Sequence, residues 1–475
     1  MLLPRLLVIS LLSLCSTATM AYAPLDKLPS GSRASVLIES LTGEQTFLTS
    51  NNDQLYFPPA STLKLVTALA AKLELKENFH FETRLEQVNK DVVIRFSGDP
   101  TLTTENLKQL LLTARGKGLT AVKGDIWLDN SAFSGYDRAV GWPWDILGVC
   151  YSAPASAITL DENCVQASIY TEANQKTRVY VPEHFPIYAS TQVKSVTKVE
   201  QESSQCDLEL ISSSDNHYQL RGCLVERKKP LPLKFAVQNP ELYTQRILHT
   251  LLNQLDIELE GNIRIGSPNK KPSKLLAQHR SPTLIPLLEE MLKKSDNLIA
   301  DNLTKAIGGQ FFLQPGSFNN GTEAIKQIIF ANTGIDLRNT PLADGSGLSR
   351  NNRFRSHDMA EILRYIWQND NDLNLIALMP KSGLSGTLKY RRSMRKEPVK
   401  GTIIGKSGSL YGSYNMAGYG VDKTGKPSSL FVQFVTDYHP PKRKSDDKPT
   451  IAPITQFETL FYKDVVKFSQ AIPKK

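Results

Sequence analysis

Three short stretches of the chain combine a serine with a lysine or an amide at spacings that could move a proton and hold a carboxylate. The first is Ser61-Thr62-Leu63-Lys64. On a helix, residues i and i+3 share a face one turn apart. Ser61 would stand at the helix N-terminus, where unsatisfied N–H groups and the positive dipole end favour a neighbouring oxyanion. Lys64 would stand one turn deeper, among Leu63, Leu65, Val66 and Ala68. Desolvation there disfavours the ammonium form. A lysine that sheds its proton beside a serine hydroxyl can be that serine's general base, with no histidine involved. The bland alternative is an N-capping serine beside a snorkelling lysine. The same spacing recurs at Ser195, Ser267, Ser393 and Ser445, but in polar or loop-like sequence.

The second stretch is Ser295-Asp296-Asn297. Residues i and i+2 diverge on a helix, so Ser295 and Asn297 can converge only from a turn. From there Ser295 could relay a proton and Asn297 could hold Lys64 or a substrate amide. The rival role for Ser295 is a helix N-cap. A second copy, Ser214-Asp215-Asn216, reads as an ordinary turn. The third stretch is Lys406-Ser407-Gly408-Ser409. It falls one residue short of a nucleotide-binding P-loop, because Gly401 is too close to Gly405-Lys406-Ser407 and the sequence that follows is strand-like rather than helical. On a strand, Lys406 could receive a carboxylate and Gly408 could let a substrate backbone come close. Lys423-Thr424-Gly425 reads as a hairpin tip, and Lys381-Ser382-Gly383 has no strand before it.

The elements that must position these groups follow from pattern. Residues 34–39 and 45–49 read as strands joined by a turn at Thr42-Gly43-Glu44. Pro58-Pro59 then precedes a helix that is apolar all round from Thr62 to Lys72, the mark of a buried helix. From about residue 85 to 266, short strand-like runs such as 92–96 and 125–128 alternate with turn residues, with one helix near 104–115. After residue 267 come helical runs at 284–292 and 298–306, then strands at 402–404, 414–419 and 429–435. A last helix carries Phe457, Leu460, Phe461, Val465 and Phe468 on one stripe, read as core packing. Early and late pieces together make one α/β domain split by the middle segment.

The N-terminus, with Arg5, a short apolar run and small residues up to Ala21 and Ala23, reads as a secretory signal, and its apolar run is shorter than a membrane span needs. An exported chain meets few nucleotide triphosphates, which further disfavours the P-loop. Beyond the signal remain Cys150, Cys164, Cys206 and Cys223. An even count in an oxidising compartment suggests two disulfides. Three pairings exist, and Cys150–Cys164 with Cys206–Cys223 is favoured because each closes a short local loop. No zinc-type cysteine or histidine spacing exists, so no metal or cofactor is expected. The net charge of +9 is carried partly by lysine clusters at 270–274, 442–444 and 474–475. These read as solvated loops or a means of approaching an anionic polymer or membrane surface, and nucleic acid is not expected.

In this order, Ser-x-x-Lys, Ser-Asp-Asn and Lys-[Ser/Thr]-Gly resemble the signature set of penicillin-binding proteins and serine β-lactamases. The long gap between Lys64 and Ser295 looks like the class C low-molecular-mass penicillin-binding proteins, D-Ala-D-Ala carboxypeptidases and endopeptidases. Residues 96–100, Gly141-Trp142-Pro143-Trp144-Asp145, 151–154 and 344–350 resemble that family too, so the likeness spans nearly the whole mature chain. Serine at 407, where threonine is commoner, keeps the hydroxyl.

The resemblance implies an α/β (α+β) fold: a serine β-lactamase/DD-transpeptidase-like catalytic domain interrupted by a large β-rich insertion. The corresponding division is 1–23 signal, 24–84 first catalytic part, 85–266 insertion of one or two units, and 267–475 second catalytic part. It implies that Ser61 attacks, Lys64 takes its proton, Ser295 and Asn297 assist, and Lys406 and Ser407 hold a terminal carboxylate. The backbone N–H groups of Ser61 and Ser409 would form the oxyanion hole. Expected ligands are peptidoglycan stem peptides ending in D-Ala-D-Ala and β-lactams, in the periplasm, with other cell-wall enzymes or a second copy of the chain as further partners. A β-lactamase shares the motifs but needs fast deacylation, and no second glutamate base stands out. A catalytically silent binder of wall peptides is the rival outside catalysis.

Overall fold

The computed structural model describes residues 22–42, 46–49, 52–268, 273–441 and 450–471. The signal reading falls outside these except for Tyr22 and Ala23, as do most of the residues 42–44 turn and of the lysine clusters. Among the described residues no helix is long and apolar enough to cross a membrane.

Strand β1 (Arg33–Ser40) is buried along nearly its whole length. A strand apolar on both faces belongs in the middle of a sheet covered on both sides, and β1 occupies that place. It pairs with β2 (Thr46–Thr49) on one side. Helix α1 (Lys64–Glu74) follows, buried from Lys64 to Lys72. Next in the same body come α2 (Leu284–Lys294), α3 (Asn297–Phe312), α4 (Phe318–Thr333) and α5 (Ser356–Gln368). Strands β3 (Ile403–Leu410), β4 (Ser413–Val421) and β5 (Pro427–Thr436) and helix α6 (Pro453–Ala471) close the chain. The sheet order is β3-β4-β5-β1-β2, with every pairing antiparallel.

Alternation along β1 divides the core into two layers. Leu37 packs with Leu65 and Leu69 of α1, while Val36 and Ile38 pack with Phe431, Phe457 and Phe461 on the α6 side. Of the predicted α6 stripe, Phe457, Phe461 and Val465 are buried as expected, but Leu460 is exposed. Its place in the turn carries it off the packed face.

Between α1 and α2 lies a second body with its own core. A five-stranded sheet runs in the order Ile263–Ile265, Ile126–Asp129, Asp91–Arg95, Glu82–Val88, Lys274–Arg280. Helix Thr104–Gly116, capped by Thr103, packs on it as the pattern predicted. A second long helix, Pro240–Gln254, does so too, and the sequence reading missed it. Its signals were present: Asn239 caps, Pro240 stands at the first position, and Tyr243, Ile247, Leu248, Leu251 and Leu252 make the buried stripe. Smaller sheets complete this body. One joins Leu231–Ala236, Cys164–Thr171 and Thr177–Tyr180, and another is built around His217–Val225. The disulfides are Cys150–Cys164 and Cys206–Cys223, the pairing favoured from loop length. The turn copy Ser214-Asp215-Asn216 does more than turn the chain. Asn216 is buried, and its side chain accepts from the Gln238 and Asn239 N–H groups and donates to the Asn239 carbonyl.

Candidate active site

The sequence at Pro58-Pro59-Ala60-Ser61 enters α1 through a short 3-10 turn, Ala60–Leu63. Ala60 takes φ 48°, a left-handed conformation that costs an alanine about 1 kcal/mol and needs outside support. Support comes from two sides. Asn415 of β4 donates its side-chain amide to the Pro58 carbonyl at 2.7 Å. Gly347 lies so close that a Cβ there would stand 1.9 Å from the Ala60 carbonyl oxygen. Ser61 is not an N-cap: the residue before α1 is Leu63, with no side-chain cap.

Lys64, the first residue of α1, is completely buried. Its Nζ lies 3.2 Å from Ser61 Oγ, 2.6 Å from Asn297 Oδ1 and 2.6 Å from the Ser346 carbonyl oxygen. An ammonium has three donors, and these three acceptors match them. Burial lowers the Lys64 pKa to about 8, while the carboxylates of Asp301, Asp344 and Asp296 act in the opposite direction.

Ser295-Asp296-Asn297 is the turn between α2 and α3. Ser295 ends α2 with φ 61°, Asp296 caps α3 by accepting from the Ile299 N–H, and Asn297 opens that helix. Thus Ser295 is not the N-cap; Asp296 is. The turn lets Ser295 and Asn297 face two different lysines. Asn297 reaches Lys64, and Ser295 Oγ accepts from Lys406 Nζ at 2.8 Å. The other end of the Asn297 amide donates to the Tyr151 carbonyl at 2.7 Å, so the second body fixes its orientation.

Lys406, Ser407, Gly408 and Ser409 lie within β3, the edge strand of the sheet. Lys406 is completely buried and also donates to its neighbour's carbonyl, that of Ser407, at 2.7 Å. Burial, then the nearby Lys64 and Arg391 charges, hold its pKa well below the usual lysine range. Ser407 Oγ is 2.9 Å from Thr387 Oγ1. A close approach at Gly408 is made by the protein itself: the Ser61 turn fills the space a side chain would take. A Cβ there would stand 2.8 Å from Ser61 N and 2.9 Å from the Pro59 oxygen. Gly408→Ala should therefore push β3 from the turn. A displacement near 1 Å at a reacting group costs on the order of 100-fold, so acylation by benzylpenicillin should slow by about that factor, read by quenched intact-protein mass spectrometry.

Sequence reasoning missed Asp301 and gave no role to Asp344 or Trp142, though both lie in stretches noted for their resemblance, and these residues assemble the site from a distance. Asp301 on α3 accepts from the Gly345 and Ser346 N–H groups, and that fixes the Ser346 carbonyl facing Lys64. Burial and the neighbouring Asp344 push the Asp301 carboxyl well above its usual range. Asp344 accepts from Gly347 N, Ser349 N, Asn352 Nδ2 and Trp142 Nε1. The decoys stand apart: Lys423-Thr424-Gly425 is a hairpin tip held by Asp422, and Ser382 is buried with its hydroxyl given to the Val399 carbonyl.

A cavity of about 530 Å³ opens over this arrangement, lined by Ser61, Ser295, Asn297 and Ser409, with Asp145 and Arg350 at its border. The site thus combines a buried lysine of depressed pKa on a serine hydroxyl, a second buried lysine on a second serine hydroxyl, and an open edge strand. Those parts suit acyl transfer to a serine from a substrate with a carboxylate.

Comparison with known proteins agrees with this geometry. "D-alanyl-D-alanine carboxypeptidase DacB" of Haemophilus influenzae is 37% identical over 454 residues, 93% of each chain. The "D-alanyl-D-alanine carboxypeptidase" of Actinomadura sp. (strain R39) is 26% identical over 407 residues, 81% of this chain and 74% of that one. The crystal structure of penicillin binding protein 4 (dacB) from Haemophilus influenzae superposes with a TM-score of 0.85 at 36% identity, covering 94% of this chain and 98% of that one. The same protein complexed with a β-lactam gives a TM-score of 0.81 at 34% identity and the same coverage. Residues 20–459 match a family description across most of the chain, so the protein belongs to the D-Ala-D-Ala carboxypeptidase 3 (S13) family.

Proposed function

We propose that this protein is an exported, periplasmic serine D-Ala-D-Ala carboxypeptidase that also acts as a DD-endopeptidase on peptidoglycan cross-links, and that β-lactams acylate it at Ser61. The division into a catalytic body (24–84 and 267–475) and an insertion (85–266) belongs to this reading, supported by their separate cores. The observation that carries the function is Lys64 Nζ held between Ser61 Oγ, Asn297 Oδ1 and the Ser346 carbonyl. With its proton lost, Lys64 takes the Ser61 proton as Oγ attacks the carbonyl of the penultimate D-Ala. The backbone N–H groups of Ser61 and Ser409 receive the oxyanion. The proton passes toward the departing D-Ala amine through Ser295, which Lys406 holds. Lys406, Ser407 and Ser407's partner Thr387 bind the terminal carboxylate, whose charge restores the ammonium form of Lys406. Water then attacks the ester, and Lys64 returns to its starting state.

The pH dependence follows from the direction of the Lys64 shift. The base is the neutral amine, so the active fraction grows as pH rises through about 8. The second-order rate constant for benzylpenicillin acylation should fall roughly tenfold per unit below that pH and level off above it. A rate that is flat between pH 6 and 9 would remove Lys64 as the base.

The first test is intact-protein mass spectrometry of the mature protein after exposure to benzylpenicillin, with a cross-linked muropeptide dimer as the parallel substrate. A stable adduct and conversion of dimer to monomer are expected. An adduct without monomer would remove the endopeptidase half. Consumption of the drug without an adduct would indicate a β-lactamase.

A further inference from the structure

Two tryptophans in Gly141-Trp142-Pro143-Trp144-Asp145 have opposite fates. Trp142 is buried, donates its indole N–H to Asp344 and packs edge-on against Phe318. Trp144 is 85% exposed. An exposed indole is ordinary on a loose loop, but this loop is held at both ends. On one side the Arg350 N–H donates to the Gly141 carbonyl. On the other, Val149 bridges Phe235, the Ala236 N–H donates to the Gly148 carbonyl, and Gln238 donates to the Leu147 carbonyl. The backbone is fixed and the large apolar ring stays in solvent.

Its chain neighbours line one cavity, and the ring lines another. One is the candidate active site, bordered by Pro143, Asp145 and Ile146. The other, of about 580 Å³, is lined by Trp144 itself with Val149, Leu210, Leu233 and Phe235. Asp145 lines both, and Asp145, Glu209 and Lys234 supply the second cavity's polar groups. Among the described residues Lys234 makes no salt bridge. A concave, ligand-sized hollow with few polar groups suits a small ring system better than the broad face a protein partner needs, about 800 Å² per side.

We propose that Trp144 and this cavity bind the glycan of the substrate: an N-acetylated aminosugar polymer from which the stem peptide hangs. Sugar rings present C–H faces that lie flat on an indole, and hydroxyl groups and amide N–H and carbonyl groups that carboxylates and an ammonium can meet. Position agrees with this. Four extended residues reach roughly 13–14 Å, so the sugar of a peptide seated at Ser61 lies away from the serine itself, and Asp145 joins the lining of the active-site cavity to that of the second. The inference rests on the proposed peptidoglycan reading but does not need turnover for its test.

The experiment titrates peptide-free glycan strands against the wild type and Trp144→Ala, following tryptophan emission. In parallel, KM is measured for a glycan-linked pentapeptide and for the free pentapeptide. A saturable emission change in the wild type, absent in the variant, is expected. Trp144→Ala should raise KM for the glycan-linked substrate about 3- to 10-fold, in line with the worth of one aromatic contact. It should leave the free peptide and benzylpenicillin acylation unchanged. Trp144→Phe should recover part of the loss, which a folding defect would not allow. No emission change with glycan, or equal losses on both peptides, would overturn the inference. A wild type that binds glycan but forms no penicillin adduct would instead sink the proposed catalytic function and leave this site standing.

Discussion

Ser61→Ala should give no covalent adduct with benzylpenicillin, and its hydrolysis of a D-Ala-D-Ala peptide should fall by on the order of 10⁴-fold or more. Loss of a serine nucleophile leaves only what binding and the oxyanion donors supply. The fold should survive. The substitution removes one partner, at 3.2 Å, from Lys64, while Asn297 and the Ser346 carbonyl keep their places at 2.6 Å. One such hydrogen bond is worth roughly 0.5–1.5 kcal/mol, so the melting point should hardly move. The β3 groups proposed to bind the carboxylate are untouched, and benzylpenicillin should still bind reversibly. Equilibrium titration with the drug, beside the mass measurement, separates the two effects. An adduct of normal yield on the variant would place the nucleophile elsewhere and remove the Ser61–Lys64 reading. Silence of both proteins toward the drug would favour a binder that senses wall peptides without cutting them.

What was legible in the sequence is what neighbours in the chain decide. The buried helix behind Ser61, the turn at Ser295 and the strand under Lys406 each follow from local pattern, and the structure brings these pieces to one cavity. The motifs' order pointed to their convergence only through family resemblance, because nothing in local spacing says that residues 233 positions apart, such as Lys64 and Asn297, will touch. The same limit hid Asp301, Thr387 and the carbonyls of Ser346 and Tyr151. Backbone oxygens carry no sequence signature, and a buried aspartate in a helix reads as one more polar position. Gly408 shows the limit from the other direction. Its need for a close neighbour was readable, but whether that neighbour is substrate or the protein's own Ser61 turn depends on tertiary packing. Helix Pro240–Gln254 was missed for a different reason: its cap and stripe were present, but turn residues in the surrounding sequence drew the reading toward strands.

Asp344→Ala should lower stability by about 3–5 kcal/mol, the range for removing one partner of a buried charged network, and should disable the site as well. Asp344 is completely buried. Its carboxylate binds the N–H groups of Gly347 and Ser349 within its own loop, the side-chain amide of Asn352, and the indole of Trp142 from the second body. Alanine leaves all of these donors buried without an acceptor, and each unmet donor carries a desolvation penalty of roughly 1–3 kcal/mol before relaxation. The functional loss follows from the same loop. It presents the Ser346 carbonyl to Lys64, and it sets Gly347 against the Ala60 carbonyl, so it supports both the proposed base and the left-handed turn that leads into Ser61. Asp344→Asn separates the contributions. Its one oxygen can keep either the Gly347 N–H and Asn352 or the Ser349 N–H and Trp142, and its amide must then face the other pair, both donors. It should unfold less readily than the alanine variant yet acylate more slowly than the wild type at a temperature where both are folded. Thermal unfolding by circular dichroism and the benzylpenicillin acylation rate give the two readouts. Unchanged acylation in a folded Asp344→Ala protein would show that the Ser346 carbonyl does not set the state of Lys64. The base would then depend on Asn297 and burial alone.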